Sequence, residues 1–465
     1  MNEAEQYIDD VVRRKMPVSK TIIQAVDRHL EDLDKAKELG WYFDRKTAAM
    51  SLKAIRLIRH TSGIYAGQPF QLQGWQAFIL WVTYGWKLHE TKDRRFQKVY
   101  IKVPRKNGKT EFLAAIGCLD LLFFGIEGGE LWWAATKSAQ ARIGWDRQKK
   151  MIEQLAKSEK SVKKIIDTNR LRIINKRNSM FVDAIGRDSN TEDGHLVFRG
   201  YIDEFHAHKT SDIVNILESG SVGFDGSCIW IITTAGYNTA SYCKHFEDMC
   251  KQILNKQKNN DGLFIMIFDL DEGDDWEDPT NWYKANPGLG ISPTLHTFKQ
   301  VYINAMTEGA SKRIDFLTKN LNVWTNSQAT WIDPAIYKKS GYGSTMTIED
   351  LKGRECYGGL DLSSTKDLTC LTLQFPLDDD LYAIHMIAWI PEDTARDRAK
   401  EDGVKYLEWI DQGWLRTTPG NVIDFAYIKK AVLDCAELYD IQGINYDRWN
   451  SSQLINELEE EEVPM

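Results

Sequence analysis

A chain of 465 residues, 43% hydrophobic and 27% charged, can bury a large core and suggests roughly three domains of ~150 residues. Its apolar runs are broken by Gly, Lys or Trp before they reach membrane-spanning length, and the acidic start Met1-Asn2-Glu3-Ala4-Glu5 has no secretory character. Seven cysteines with no Cys-x-x-Cys pair argue against a disulfide framework or a zinc site, and a formal net charge of −8 disfavours a generally polyanion-binding surface, so a cytoplasmic protein without a membrane partner is expected.

Residues 1–60 read as a helical subdomain, with Ile22, Ile23, Val26, Leu30 and Leu33 at helical spacing. Gln76 follows the turn Gly67 to Gly74; its amide could read an adenine edge, or it could simply begin an amphipathic helix from Trp75 to Trp86.

Lys98 to Lys102 has the character of a strand, and Phe112 to Leu122 that of a helix. Between them runs Val103-Pro104-Arg105-Lys106-Asn107-Gly108-Lys109-Thr110. Strand, turn, Gly-Lys-Thr and helix form the layout of a phosphate-binding loop, in which unpaired amides at a helix start meet phosphate oxygens. Gly108 would permit close backbone approach, Lys109 would reach the outer phosphates and Thr110 would ligate Mg²⁺. Val103 stands where the usual pattern has its first glycine, so taken alone the stretch also fits a surface turn.

Glu130 to Thr136 reads as a buried strand and Ser138 to about Ala156 as a basic helix, with a hairpin from Leu171 to Val182. Cations from Lys137 to Arg177 crowd this region; such a patch can meet phosphates, although a solvated helix face fits most of its lysines equally well. Gly200-Tyr201-Ile202 suits a buried parallel strand and leads into Asp203-Glu204. Beside a phosphate loop, Asp203 would hold Mg²⁺ and Glu204 would take a proton from the attacking water; an acidic helix start is the competing explanation. Cys228 to Ile232 is a further strand ending in Thr233-Thr234-Ala235-Gly236, where hydroxyls beside the γ-phosphate could couple its loss to motion.

With these motifs in order, the chain resembles the large terminase subunits of tailed bacteriophages. The resemblance also draws on Phe205-His206-Ala207, on Asp278 to Gly290 and on Phe316 to Trp324. It implies an α/β fold: a P-loop ATPase domain of the additional-strand type with a parallel-rich sheet (61–325), a connection (326–355), and an RNase H-like nuclease domain (356–465). It makes Gln76 the adenine reader and Glu204 the catalytic base. Arg105 in cis, or Arg142 from a neighbouring subunit, would steady the γ-phosphate charge. Pro104, Arg105, Lys106 and Asn107 complete the ATP-binding loop, and Thr233, Thr234, Ala235 and Gly236 the coupling motif.

In the second domain, Tyr357 to Thr365 begins with a strand carrying Asp361, and Ile441 to Asp447 is a strand ending in another carboxylate. Leu368 to Phe375 and Leu381 to Ile390 read as strands, and Thr394 to Asp411 as a helix. Aspartates at strand ends are common in turns, but the resemblance assigns Asp361 and Asp447 to a Mg²⁺ or Mn²⁺ nuclease site, with Asp367 and Asp424 as weaker candidates. The family's third carboxylate has no counterpart before Met465, so a domain truncated at its C-terminus, weak cleavage and retained ATP hydrolysis are expected. The implied function is ATP-driven packaging of double-stranded DNA, with the small terminase subunit, a portal protein and a homo-oligomeric ring as partners. A helicase-like translocase and a non-catalytic relative acting in assembly are the competing readings; duplex unwinding would favour the first and lack of ATP binding the second.

Overall fold

In the computed structural model, residues 1–186, 195–208, 210–325, 337, 340–341, 346–363, 367–377, 381–402, 404–447 and 452–465 are described. Two units form, Met1–Asp333 and Pro334–Met465. Residues 326–336, 338–339 and 342–345 of the expected connection, and Ser364 and Thr365, lie outside the described residues.

Strands β1 (Trp41–Phe43) and β2 (Trp86–Leu88) make a small antiparallel pair. The remaining strands of the first unit are β3 (Lys98–Lys102), β4 (Glu130–Ala135), β5 (Ile166–Thr168), β6 (Ile173–Asn175), β7 (Met180–Gly186), β8 (Val197–Ile202), β9 (Cys228–Thr233) and β10 (Leu263–Ile267). They build one sheet in the order β10-β3-β9-β8-β4-β7-β6-β5. From β10 to β7 every pairing is parallel, and the β5–β6–β7 edge is antiparallel. β9 therefore lies between the strand that enters the phosphate loop and the strand that ends in the acidic pair, which is the additional-strand arrangement.

Central strands of a parallel sheet are covered on both faces, which is why β8, β9 and β10 are buried at every residue. Alternate side chains enter separate cores. Val99, Ile101, Trp133, Trp230 and Ile232 pack with the helices Gly74–Gly85 and Lys109–Leu122. Tyr100, Trp132, Ile229 and Ile231 pack with Phe205, Leu217, Cys243 and Phe246.

The helix expected to be amphipathic from Trp75 is instead buried on all sides, Trp75 through Gly85, because the helices Glu3–Val12 and Arg45–Ala54 cover the face turned from the sheet. For the same reason residues 1–60, although helical as expected, share the core of the first unit rather than standing apart as a subdomain.

The second unit holds β11 (Glu355–Asp361), β12 (Thr369–Pro376), β13 (Tyr382–Pro391), β14 (Leu415–Thr418) and β15 (Asp440–Tyr446) in the order β14-β13-β12-β11-β15. β11, β12 and β13 form an antiparallel meander, while β15 runs parallel to β11, the strand order expected of an RNase H-like sheet. Burial alternates along β11 and β12 because one face packs on the helices Phe425–Leu438 and Ser452–Glu460 through Ile428, Val432, Leu454 and Leu458. The single helix expected from Thr394 to Asp411 is two, Glu392–Asp402 and Tyr406–Asp411; Lys405 has left helical geometry (φ −82°, ψ 49°).

Candidate nucleotide and nuclease sites

β3 delivers the chain into the loop, and Gly108 turns it into the helix Lys109–Leu122 with φ of 75°, a conformation that a side chain would strain. Three segments that are remote in sequence line a cavity of about 710 Å³. Arg105 to Glu111 form its floor, His60 to Gln76 one wall, and Ile291 to Thr294 another, with Arg147 and Glu204 completing it.

At the end of β8, Asp203 accepts a hydrogen bond from the Thr110 hydroxyl. Burial, and then repulsion from Glu204, raise the Asp203 carboxyl above the usual range, which is the electrostatic state a divalent cation would relieve. Glu204 sits in left-handed backbone geometry (φ 53°), costing about 1–2 kcal/mol for a side-chain-bearing residue. That turn brings Glu204 Oε1 to 3.3 Å from the Lys109 ammonium. Its other oxygen, Oε2, is buried, lies 3.3 Å from His206 Nδ1 and makes no hydrogen bond among the described residues. Burial lowers the His206 pKa to about 4, so the ring is neutral near pH 7.

His206 connects the acidic pair to the end of β9. Its amide donates to Thr233 Oγ1 at 2.9 Å, and its Nδ1 is 3.2 Å from Thr234 Oγ1. Ala235 N–H donates to Asn322 Oδ1 at 2.8 Å, and a Cβ on Gly236 would stand 3.0 Å from the Trp324 ring. The stretch Phe316 to Trp324 is thereby seated on the coupling motif. Asp278 caps the helix Pro279–Ala285, and Asn286 and Gly288 reach back to Asn107.

Of the expected residues, Gln76, Arg105, Lys106, Asn107, Gly108, Lys109, Thr110 and Glu204 line the one cavity; Asp203 reaches it through Thr110, and Pro104 is buried beneath. The oxygen of Gln76 already accepts the Gln73 N–H at 3.1 Å, so only its amide donors face outward, not both halves of the amide. Arg105 is exposed on the floor. Arg142 is not a lining residue: its guanidinium donates to Leu171 O at 3.0 Å and to Asp183 at 3.2 Å, and lies over Trp145. Sequence reasoning missed Arg147, one cation among many on the helix Ser138–Ser158; it lines the cavity, donates to Ser62 Oγ at 3.1 Å and leaves a buried Nε without a partner.

In the second unit the register Leu360 beside Tyr446 places Asp361 and Asp447 next along two adjacent parallel strands. Neighbouring strands lie about 4.8 Å apart, a spacing at which two carboxylates can share a hydrated divalent ion. Among the described residues no group of three or more His, Cys, Asp or Glu is placed to hold a metal. Asp424 is occupied as a helix cap, accepting from Ala426 N–H at 2.9 Å, and the Asp367 N–H donates to Ser363 Oγ at 3.0 Å.

Two family models match the chain. The model for the terminase large subunit ATPase domain covers residues 74–252, and that for the terminase large subunit endonuclease domain covers 257–465. The second match thus begins inside the first unit. Protein YmfN of Escherichia coli (strain K12) is 25% identical over 279 residues, 58% of this chain and 61% of its own length. The terminase large subunit of Enterobacteria phage HK97 is 24% identical over 398 residues, 84% of this chain and 74% of that protein. The crystal structure of the HK97 large terminase aligns with a TM-score of 0.50 at 20% identity, covering 91% of this chain and 84% of that one.

Proposed function

This chain belongs to the terminase large-subunit family, with an ATPase and a nuclease domain, and from that premise we propose that it hydrolyses ATP to move double-stranded DNA into a procapsid and cuts concatemeric DNA. The observation that carries the ATPase reading is the meeting of Lys109 and Glu204 at one end of the cavity, with Glu204 Oε2 still lacking a hydrogen bond. A phosphate-binding cation, a poised acceptor and a hydroxyl–carboxylate pair within one cavity are what phosphoanhydride hydrolysis needs.

Lys109 leaves Glu204 for the outer phosphate oxygens of ATP, and the amides at the start of its helix hold the same group. Freed of its ion pair, Glu204 orients a water with Oε2 and takes its proton as the water attacks. Thr110 and Asp203 are the ligands for Mg²⁺, which when bound neutralises charge building on the bridging phosphate oxygens. Arg105 steadies the γ-phosphate from its own subunit, and Gln76 donates to the adenine. Arg142 would act on a neighbouring subunit's nucleotide only after giving up Asp183. Thr233 and Thr234 communicate phosphate loss through His206 to Glu204 and through Ala235 to Asn322.

In the nuclease domain, Asp361 and Asp447 hold Mg²⁺ or Mn²⁺ against the scissile phosphodiester. The small terminase subunit, a portal protein and a homo-oligomeric ring are the assembly partners, in the host cytoplasm; no helix among the described residues is long and apolar enough to cross a membrane.

The test is ATP hydrolysis by the purified chain with and without duplex DNA across a salt series. DNA-stimulated hydrolysis that falls steeply with salt is expected, because a motor grips backbone charge. Absence of hydrolysis in the presence of DNA, portal and Mg²⁺ would overturn the reading.

A further inference from the structure

We propose that Asn107, Asn286 and Gly288 are positioning residues for the phosphate loop: the segment Asn286–Ser292 holds Val103 to Gly108 open, a task that the first glycine performs in the usual loop pattern. The inference rests on the reading of the cavity as an ATP site and concerns what keeps that site in shape.

The loop needs outside support. Besides Gly108, Lys106 has left-handed geometry (φ 70°), and a lysine in that region costs about 1–2 kcal/mol. Such strain persists where neighbouring structure over-determines it. Val103 and Pro104 supply no conformational freedom of their own.

Four contacts provide the support. The Lys106 carbonyl accepts from Ser292 Oγ at 2.6 Å. The Asn107 side chain, 1% exposed, donates to Asn286 Oδ1 at 2.9 Å and accepts from Gly288 N–H at 3.0 Å. Asn286 is equally buried and is fixed by donating to Asn320 O at 2.7 Å. Arg105 N–H donates to Lys319 O at 3.0 Å.

Gly288 is where the fit is tightest. A Cβ there would lie 2.5 Å from Ser292 O, 3.0 Å from Asn107 Oδ1 and 3.1 Å from Gln73 Oε1. The bracing segment therefore touches both the phosphate loop and the turn before Gln76, the two ends that a nucleotide would span. With the Lys106 carbonyl and the Asn107 amide engaged outward, the amides at the start of the following helix stay turned to the cavity, where a helix leaves them unpaired. The brace comes from beyond the stretch matched by the ATPase-domain model, which ends at residue 252.

The experiment titrates the full chain with mant-ATP and Mg²⁺, and measures steady-state hydrolysis and melting temperature on the same preparations. Asn107→Ala and Asn286→Ala should each raise the mant-ATP Kd and the ATP KM about tenfold, the scale of one buried hydrogen bond, with kcat changing less than about threefold. The double variant should be about as impaired as either single one, because the two side chains share a bond. Asn286→Asp retains the acceptor for Asn107 and should recover most of the affinity. Ser292→Ala, at an accessible position where folding is not at stake, should weaken binding about threefold. Wild-type Kd and KM in Ser292→Ala together with Asn107→Ala, at unchanged melting temperature, would overturn the proposal. If the wild-type chain itself bound no mant-ATP, the ATP-site reading would fall first, which is a separate outcome.

Discussion

The ammonium of Lys109 lies 3.3 Å from Glu204 Oε1, so the loop cation and the carboxylate beyond β8 are each other's partners across β9. Their roles separate on mutation. Lys109→Ala removes the charge that meets the phosphates, and nucleotide binding and hydrolysis should both be lost. Glu204→Gln keeps size and polarity but no longer accepts a proton; kcat should fall by about 10²–10⁴ with binding retained. Steady-state hydrolysis and mant-ATP titration of the two variants check the division. Wild-type turnover in Glu204→Gln would remove its assignment as the base.

A second expectation concerns acid stability. Burial lowers the pKa of His29 to about 3 and of His206 and His208 to about 4, from an ordinary 6.5. These rings are neutral when folded and take up protons when unfolded, so between pH 6.5 and 4 the unfolded chain binds more protons. Stability contributed by them is complete above pH 6.5 and is lost as pH falls towards 4. His29 is the best probe because it lies away from the cavity, accepting the Trp86 indole N–H at 3.0 Å. In thermal melts from pH 7.5 to 4.5, His29→Gln should lose less melting temperature than wild type over the same range.

Behind the loop, Lys102 and Glu247 form a buried pair at 2.9 Å, each side chain 1% exposed. Lys251 and the Trp324 indole also bond Glu247, at 3.4 and 2.8 Å, and Lys102 holds its carboxyl below the usual range against the effect of burial. Removing one member strands the other charge, a loss of about 3–5 kcal/mol. Glu247→Ala should unfold the first unit at markedly lower urea than wild type, whereas Lys251→Ala, at a half-buried position, should do so far less. Equal midpoints for the two variants would show that the pair is not the stabilising element.

For the nuclease unit, Asp361→Asn and Asp447→Asn should each abolish whatever Mn²⁺- or Mg²⁺-dependent plasmid cutting the wild type shows. ATP hydrolysis by the same preparations should stay within about twofold, since the carboxylates belong to a different unit. Gel assays with both metals decide it. Cutting that survives both substitutions would place the nuclease centre elsewhere.

Local chemistry made much of this protein legible. The passage from β3 through Gly108 to Lys109 and Thr110, and the apolar approach to Asp203 and Glu204, are visible because turn residues and strand character lie within a few positions of each other. The neighbourhood of β11 and β15, which places Asp361 beside Asp447, followed from the family resemblance and not from spacing. What stayed hidden depends on distant partners. Nothing beside Asn107 announces Asn286, nothing distinguishes Arg147 from its fellow cations, and the all-round burial of Gly74–Gly85 follows only once the N-terminal helices cover it. The strand β14 and the helix Phe425–Leu438 also escaped notice, the first being only 4 residues long.

The stretch leaving the first unit is moored twice: Lys319 O to the Arg105 amide, and Asn322 and Thr325 to Ala235 and Gly236. One mooring belongs to the loop that grips a triphosphate, the other to the strand that would register its breakdown. Tension arriving along this stretch is consequently shared between two points that change at different moments of a turnover. Releasing either one alone shifts the strain to the other, so the stroke is withheld until both let go, and the timing of force is set by the slower of the two.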